Sequence, residues 1–253
     1  MNLTYAQKKA FYENGFIKIP GVVPQIMVDS ALKAINHSIG EGLSAEDMVI
    51  MRAQSYCKEL VHEPVITDLF NKTAAWELSE SLLGQGHVPA VSGGQIALRF
   101  PGLQDPPHKP GSHLDGMYTP TNGVPQGTIQ NFTMLVGVYL NSVRLENAGN
   151  LTVWPGTHHT FEEYFREHGA EALLEGMPKV DMPDPVQITV EPGDVVFAHY
   201  QLAHGTAPNI SPNVRYAIYF RLTHTDFDRS QWQAPMRNIW MHYPGIRELL
   251  LGS

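Results

Sequence analysis

The chain has 253 residues, 43% of them apolar, and a formal charge of −8. That is enough apolar material for one domain of sandwich or barrel size, and the acidic balance argues against a nucleic-acid partner, which needs a basic stripe. Cys57 is the single cysteine, so disulfides within the chain are excluded and a reducing compartment is expected. No charged-then-apolar leader opens the sequence, and the longest nearly apolar run, residues 132–140, is too short to cross a bilayer. A cytoplasmic protein without a membrane partner is the expectation.

The first part, about residues 1–87, reads as mostly helical. Thr4 and Gln7 have the spacing of a capping box, and Gly15 ends that helix. A short strand is expected over Phe16–Ile19, then a helix over residues 24–39 that stops at Gly40. Ser44 with Asp47 marks a weak further start, and residues 63–83 hold one or two more helices ending at Gly84. These helices are expected to brace a sheet, with His37, His62 and His87 structural or solvated.

Residues 88–225 read as the β-rich core. Residues 88–100 form a strand interrupted by Gly93 and Gly94; its Arg99 is either an edge charge or a pocket-rim residue, and Gln95 is equally ambiguous. Residues 101–125 form a long Pro- and Gly-rich loop, a length that usually marks function. It carries His113-Leu114-Asp115 and Tyr118, which either lines a chamber or simply packs. In extended backbone, residues two apart share a face, so His113 and Asp115 can address one metal ion. A pair alone is weak evidence in a chain with 12 histidines. Residues 131–140 follow as a strong strand, and Asn131 or Thr133 on it would contact a co-substrate or else bond to backbone. Residues 151–154 form a short strand closed by the Pro155-Gly156 turn, with His158 and His159 after it. Residues 160–175 suggest an acidic amphipathic helix inserted at the surface.

The last strands are expected over residues 186–190, 194–199 and 214–223. His204 follows an apolar strand and precedes Gly205, whereas His199, the competing metal ligand, lies inside the apolar run. The final strand alternates: Tyr216, Ile218, Phe220 and Leu222 on one face, Arg215, Ala217, Tyr219 and Arg221 on the other. An arginine aligned with alanine and tyrosine suits a pocket for a carboxylate, since guanidinium binds carboxylate through a planar fork; the alternative is a surface strand charge. His113, Asp115 and His204 together would form a facial triad with open positions opposite, as in non-haem iron oxygenases. The same set also suits a catalytic zinc. The tail, residues 226–253, holds Trp232, Trp240, Tyr243 and a short helix over residues 246–251.

The order of His113-x-Asp115, Asn150-Leu151-Thr152-Val153-Trp154-Pro155-Gly156-Thr157-His158, Pro192-Gly193-Asp194, His204-Gly205 and Arg215 resembles the phytanoyl-CoA dioxygenase family. The likeness runs from about Gln95 to Thr223. It implies a double-stranded β-helix, a jelly roll of cupin type, braced by the amino-terminal helices. It further implies Fe(II) held by His113, Asp115 and His204, with 2-oxoglutarate and O2 as co-substrates and Arg215 anchoring the distal carboxylate of 2-oxoglutarate. Asn131, Thr133 and Gln95 are the expected further co-substrate contacts. The presence of Asp115 resembles the hydroxylating rather than the halogenating branch. The activity implied is hydroxylation of an unactivated C–H bond of a small organic molecule, releasing succinate and CO2. A coenzyme A thioester fits the acidic balance poorly unless a local basic patch receives it. Two rivals remain open, a zinc hydrolase using the same ligands and a non-catalytic binding module on the same fold. A monomer and a homodimer are both compatible with the sequence.

Overall fold

The computed structural model describes residues 1–102 and 106–251. The expected loop over residues 101–125 therefore lies partly outside the described residues, as does the end of the tail.

Helix α1 (Tyr5–Asn14) starts where local chemistry predicts. Thr4 Oγ1 accepts from the Gln7 amide at 3.2 Å and the Gln7 side chain accepts from the Thr4 amide at 2.8 Å. Gly15, at φ 77°, ends the helix and turns the chain directly into β1 (Phe16–Ile19). Helix α2 (Gln25–Gly40) buries Val28, Ala31 and Ile35 along one stripe. Short α3 (Met48–Ala53) follows, then α4 (Pro64–Asn71), with proline in its first turn, and α5 (Ala74–Leu83), capped by the Thr73 hydroxyl.

The remaining strands are β2 (Gln95–Arg99), β3 (Met134–Tyr139), β4 (Leu151–Val153), β5 (Val186–Gln187), β6 (Val195–His199), β7 (His204–Thr206) and β8 (Arg215–Leu222). They form a five-stranded sheet in the order β1-β6-β3-β8-β2 and a three-stranded sheet in the order β5-β4-β7, with every pairing antiparallel. Alternation gives the larger sheet two different faces. Ile96, Val136, Phe197, Ile218 and Phe220 point outward into a core shared with Phe11, Val28, Ile35, Leu69 and Phe70 of the helices. Leu135, Tyr139, Val196, Ala198 and Ala217 point inward and meet Leu151, Val153 and Phe161 across the barrel. The sequence expectation of a helix-braced jelly roll holds.

Several boundaries differ for identifiable reasons. The strand expected over residues 88–100 is only β2, because the segment before it belongs to the helices. Asn71 grips Val91 through both its amide groups, and the Gly94 amide bonds to the Val61 carbonyl. Gly94 itself lies so close to the sheet that a Cβ would sit 2.6 Å from the Phe220 ring. The helix expected over residues 160–175 is α6 (Thr157–His168), followed by a 3-10 turn over Ala170–Glu175 after Gly169 at φ 87°. It is no surface insertion, since Phe161 and Phe165 are fully buried in the inner core. The strand expected over residues 186–190 shrinks to β5 plus a single bridge between Val190 and Val143.

The tail forms α7 (Ala234–Arg237) and α8 (Pro244–Leu251) and packs rather than dangles. Trp240 lies edge-on to Phe11 and His158, and the Tyr243 hydroxyl donates to the Thr133 carbonyl at 2.7 Å. Among the described residues, no helix is long and apolar enough to cross a membrane.

His199 ties this tail to β6. Its Nδ1 accepts from the Gln201 amide at 3.0 Å, leaving the Nε2 proton to donate to the Ile239 carbonyl at 3.0 Å. Burial pushes its pKa down to about 4. The folded pKa therefore lies below the unfolded value of about 6.5, so the unfolded chain takes up a proton that the folded chain refuses. Stability is unaffected above that window and falls as pH drops from about 6.5 to about 4, by on the order of 3 kcal/mol for this group. Urea titrations between pH 7 and pH 4 should show a loss that includes this share, and His199→Gln, which keeps a donor for Ile239 without titrating, should make the loss smaller by about that amount.

Candidate metal centre

The first and third residues of the expected triad are brought together by backbone. The His113 amide donates to the His204 carbonyl at 2.9 Å, and the His204 amide donates back to His113 at 3.1 Å. In such a reciprocal antiparallel pair the two side chains leave the same face, and the imidazole centroids lie 4.5 Å apart. Asp115 then falls on the same side. Its Oδ1 lies 3.4 Å from Nε2 of His113 and 3.7 Å from Nε2 of His204. One ligand atom from each of the three lies within 4.8 Å of the others.

Electrostatics prepare these atoms to bind a cation. The Nδ1–H of His204 donates to the Leu202 carbonyl at 2.9 Å, which presents the lone pair of Nε2 to the site. Burial, aided by the neighbouring His113, lowers its pKa to about 4 and keeps the ring neutral. Burial alone would raise the Asp115 carboxyl. The Arg221 guanidinium, the His113 hydrogen bond and the charges of His204 and His113 outweigh it and hold the group well below the usual carboxylate range. Two imidazoles and one ionised carboxylate with their ligand atoms gathered at one place are a donor set that fits a divalent iron or zinc ion.

A second trio, His87, His224 and Asp226, satisfies the same separation. Its rings stack face to face at 4.4 Å and 12° instead of converging, and His224 Nδ1 is spent on the Asp226 amide. His199 is likewise committed to backbone, as described above. His158 and His159 both direct Nε2 at the Tyr12 carbonyl, at 2.9 Å each, and so fasten the Pro155-Gly156 turn to α1.

Arg215 is 1% exposed on the inward face of β8. Its Nε donates to the Gly149 carbonyl at 2.8 Å and its Nη1 to the Ala97 carbonyl at 3.0 Å, while Nη2 is buried with no partner. The Tyr219 ring lies 5.9 Å from its carbon centre, and the Tyr219 and Tyr139 hydroxyls approach to 3.3 Å. Directly opposite Arg215 in the β2–β8 register stands Arg99, whose Nε is also buried and unpaired and whose Nη2 lies 3.5 Å from the Thr206 hydroxyl. Burial, then the charges of Arg215 and Arg52, lower the Arg99 pKa to about 10. Among the described residues no carboxylate pairs with either guanidinium. Like charges facing each other across strands are unfavourable, and an anion placed between them would relieve the repulsion.

The other residues singled out from sequence lie as follows. Asn131 donates to the Trp232 carbonyl at 2.8 Å and so serves the tail, and the Thr133 hydroxyl accepts from the His224 amide at 2.9 Å, just ahead of the tail. Gln95 accepts from Arg221 at 2.8 Å. Tyr118 is 41% exposed. Sequence reading assigned no role to Arg221, Thr206 or Tyr139. Arg221 was legible as a face-mate of Arg215; nothing in the sequence linked it to Asp115.

Residues 11–217 match the family model of phytanoyl-CoA dioxygenase (PhyH). The chain belongs to this family, a class of non-haem oxygenases that use Fe(II), 2-oxoglutarate and O2. A probable phytanoyl-CoA dioxygenase from Caenorhabditis elegans is 23% identical over 258 residues, covering 88% of this chain and 77% of the relative. Two solved structures share the fold. HygX from Streptomyces hygroscopicus, with nickel and 2-oxoglutarate bound, aligns at TM-score 0.58 and 19% identity, covering 89% of this chain and 88% of that one. The epimerase SnoN of nogalamycin biosynthesis aligns at TM-score 0.57 and 18% identity, covering 85% and 80%.

The two segments that bring the histidines together, the loop at His113 and β7, pass very close at Gly205, where a Cβ would clash with the Gly111 carbonyl oxygen. Gly205→Ala is therefore expected to push the His113 segment off β7. The protein should lose about 3 kcal/mol of stability and at least ~10-fold in metal affinity, read by thermal unfolding and Mn(II) titration.

Proposed function

We propose that this chain is an Fe(II)- and 2-oxoglutarate-dependent hydroxylase of a small organic substrate, with His113, Asp115 and His204 as the metal ligands. Iron and 2-oxoglutarate, when bound, would supply the oxidising chemistry, with one oxygen atom of O2 going to a C–H bond of the substrate and the other to succinate as CO2 is lost. The protein's own work is placement. The bridge between His113 and His204 fixes the imidazoles, and the keto-acid end of 2-oxoglutarate would take two of the open positions.

The observation that carries the reading is the unpaired Nη2 of Arg215, fully buried on the inward face of β8. An isolated buried charge costs several kcal/mol, and a carboxylate offers the planar partner this fork lacks. Arg99, Thr206 and the Tyr139–Tyr219 pair surround the same place and would share the anion. A zinc hydrolase gives Arg215 and Arg99 no task, and a retired binding module has no use for three intact ligands. The relatives widen the substrate class: one HygX structure holds hygromycin B and one SnoN structure holds nogalamycin RO. Both are small molecules, and a small-molecule substrate is proposed here too.

The experiment is anaerobic purification, metal analysis, and succinate release from 2-oxoglutarate with and without candidate substrates. Iron with substrate-stimulated succinate supports the hydroxylase; zinc without 2-oxoglutarate binding would favour the hydrolase instead. Arg215→Met should raise the 2-oxoglutarate Kd by about 100-fold, as expected for a buried charge pair worth 2–5 kcal/mol. It should leave Mn(II) affinity unchanged and hold or raise the melting temperature of the metal-free protein, because an uncompensated charge is removed. Isothermal titration and thermal unfolding check the two halves separately.

A further inference from the structure

We propose that Arg221 is a positioning residue that reserves one oxygen of Asp115 and so limits that carboxylate to a single bond with the metal; the inference rests on the metal-binding reading above. The two carboxylate oxygens have different neighbours. Oδ1 faces Nε2 of both imidazoles, at 3.4 and 3.7 Å, whereas Oδ2 accepts from Nε of Arg221 at 3.2 Å. The guanidinium is itself held in place. Its Nη1 donates to Gln95 Oε1 at 2.8 Å, its carbon centre lies 5.7 Å from the Phe132 ring centroid, and Gln95 Nε2 is anchored on the Ala53 carbonyl at 3.3 Å. Arg221 is therefore fixed from β2 and supported by an aromatic face, and it does not depend on Asp115 for its orientation.

A carboxylate with both oxygens free can chelate a metal through the pair and occupy an extra position. With Oδ2 held by a charge-assisted hydrogen bond, only Oδ1 remains to bind, beside the two histidines. In a six-coordinate site, that difference sets whether three positions or two stay open. Three are needed to hold a chelating keto acid and O2 together. Gln95, expected from sequence as a co-substrate contact, acts here one step back, by fixing the residue that fixes the ligand. The Arg221 side chain is 40% exposed, so its removal leaves no cavity in the core.

The test counts metal-bound water on protein loaded with Mn(II) alone, by pulsed EPR in 17O-enriched water, with no co-substrate present. Three waters are expected in the parent protein and two in Arg221→Met. Arg221→Lys, whose ammonium can still bond to Oδ2, should return the count to three. Melting temperatures of the metal-free proteins should agree within a few degrees, and Arg221→Ala replaces Arg221→Met if the latter does not fold. Three waters in the Met or Ala variant would overturn the inference while leaving the metal site standing. A parent protein that binds no Mn(II) would overturn the metal-binding reading, and the inference with it.

Discussion

The chemistry proposed for this chain depends on one reciprocal pair of backbone hydrogen bonds, between His113 and His204. The first lies in a loop and the second begins β7, far along the chain, yet mutual donation leaves both imidazoles no choice but to share a face. Asp115 follows two residues after His113 and needs only extended backbone to join them. In a metal site assembled this way the two imidazoles would be held by backbone rather than by other side chains. The close approach at Gly205 is the same constraint seen from β7.

Charge is distributed around that bridge in an uneven way. The protein is acidic overall, but the inward face of β8 and its neighbour β2 carries Arg99, Arg215 and Arg221. Arg221 is neutralised by Asp115. The other two meet only carbonyls, a hydroxyl and aromatic rings among the described residues. Burial of such groups opposes stability, and the outer core of helices against sheet offsets it with a continuous layer of fully buried apolar side chains. The two cores thus differ in content, one a layer of apolar side chains and the other enclosing guanidinium groups with unpaired nitrogens.

How far the sequence revealed this depended on the length over which each signal is written. The Thr4–Gln7 capping box, the stop at Gly15 and the alternation through Arg215–Leu222 are local patterns, and they survive in the structure with their boundaries. Strands β5 and β7, two and three residues long, carry no periodicity to read. The helix at Thr157–His168 looked like a surface insertion because its acidic residues dominate the composition, whereas Phe161 and Phe165 decide its burial. The Asn131 side chain and the Thr133 carbonyl are engaged by the tail, a partner that nothing in their neighbourhood announces. Arg221 and Asp115 meet across the fold, which no reading along the chain could supply.

The Tyr12 carbonyl, which receives both His158 and His159, has a consequence for how this architecture can be recombined. It joins the opening helix to the turn that closes β4, and a Cβ on adjacent Gly15 would lie 2.6 Å from His158 Nδ1. Trp240 of the tail packs against the same two rings. Three segments remote from one another in sequence therefore form a single interlocking joint at the back of the barrel. They have to be inherited, or exchanged between relatives, as a set.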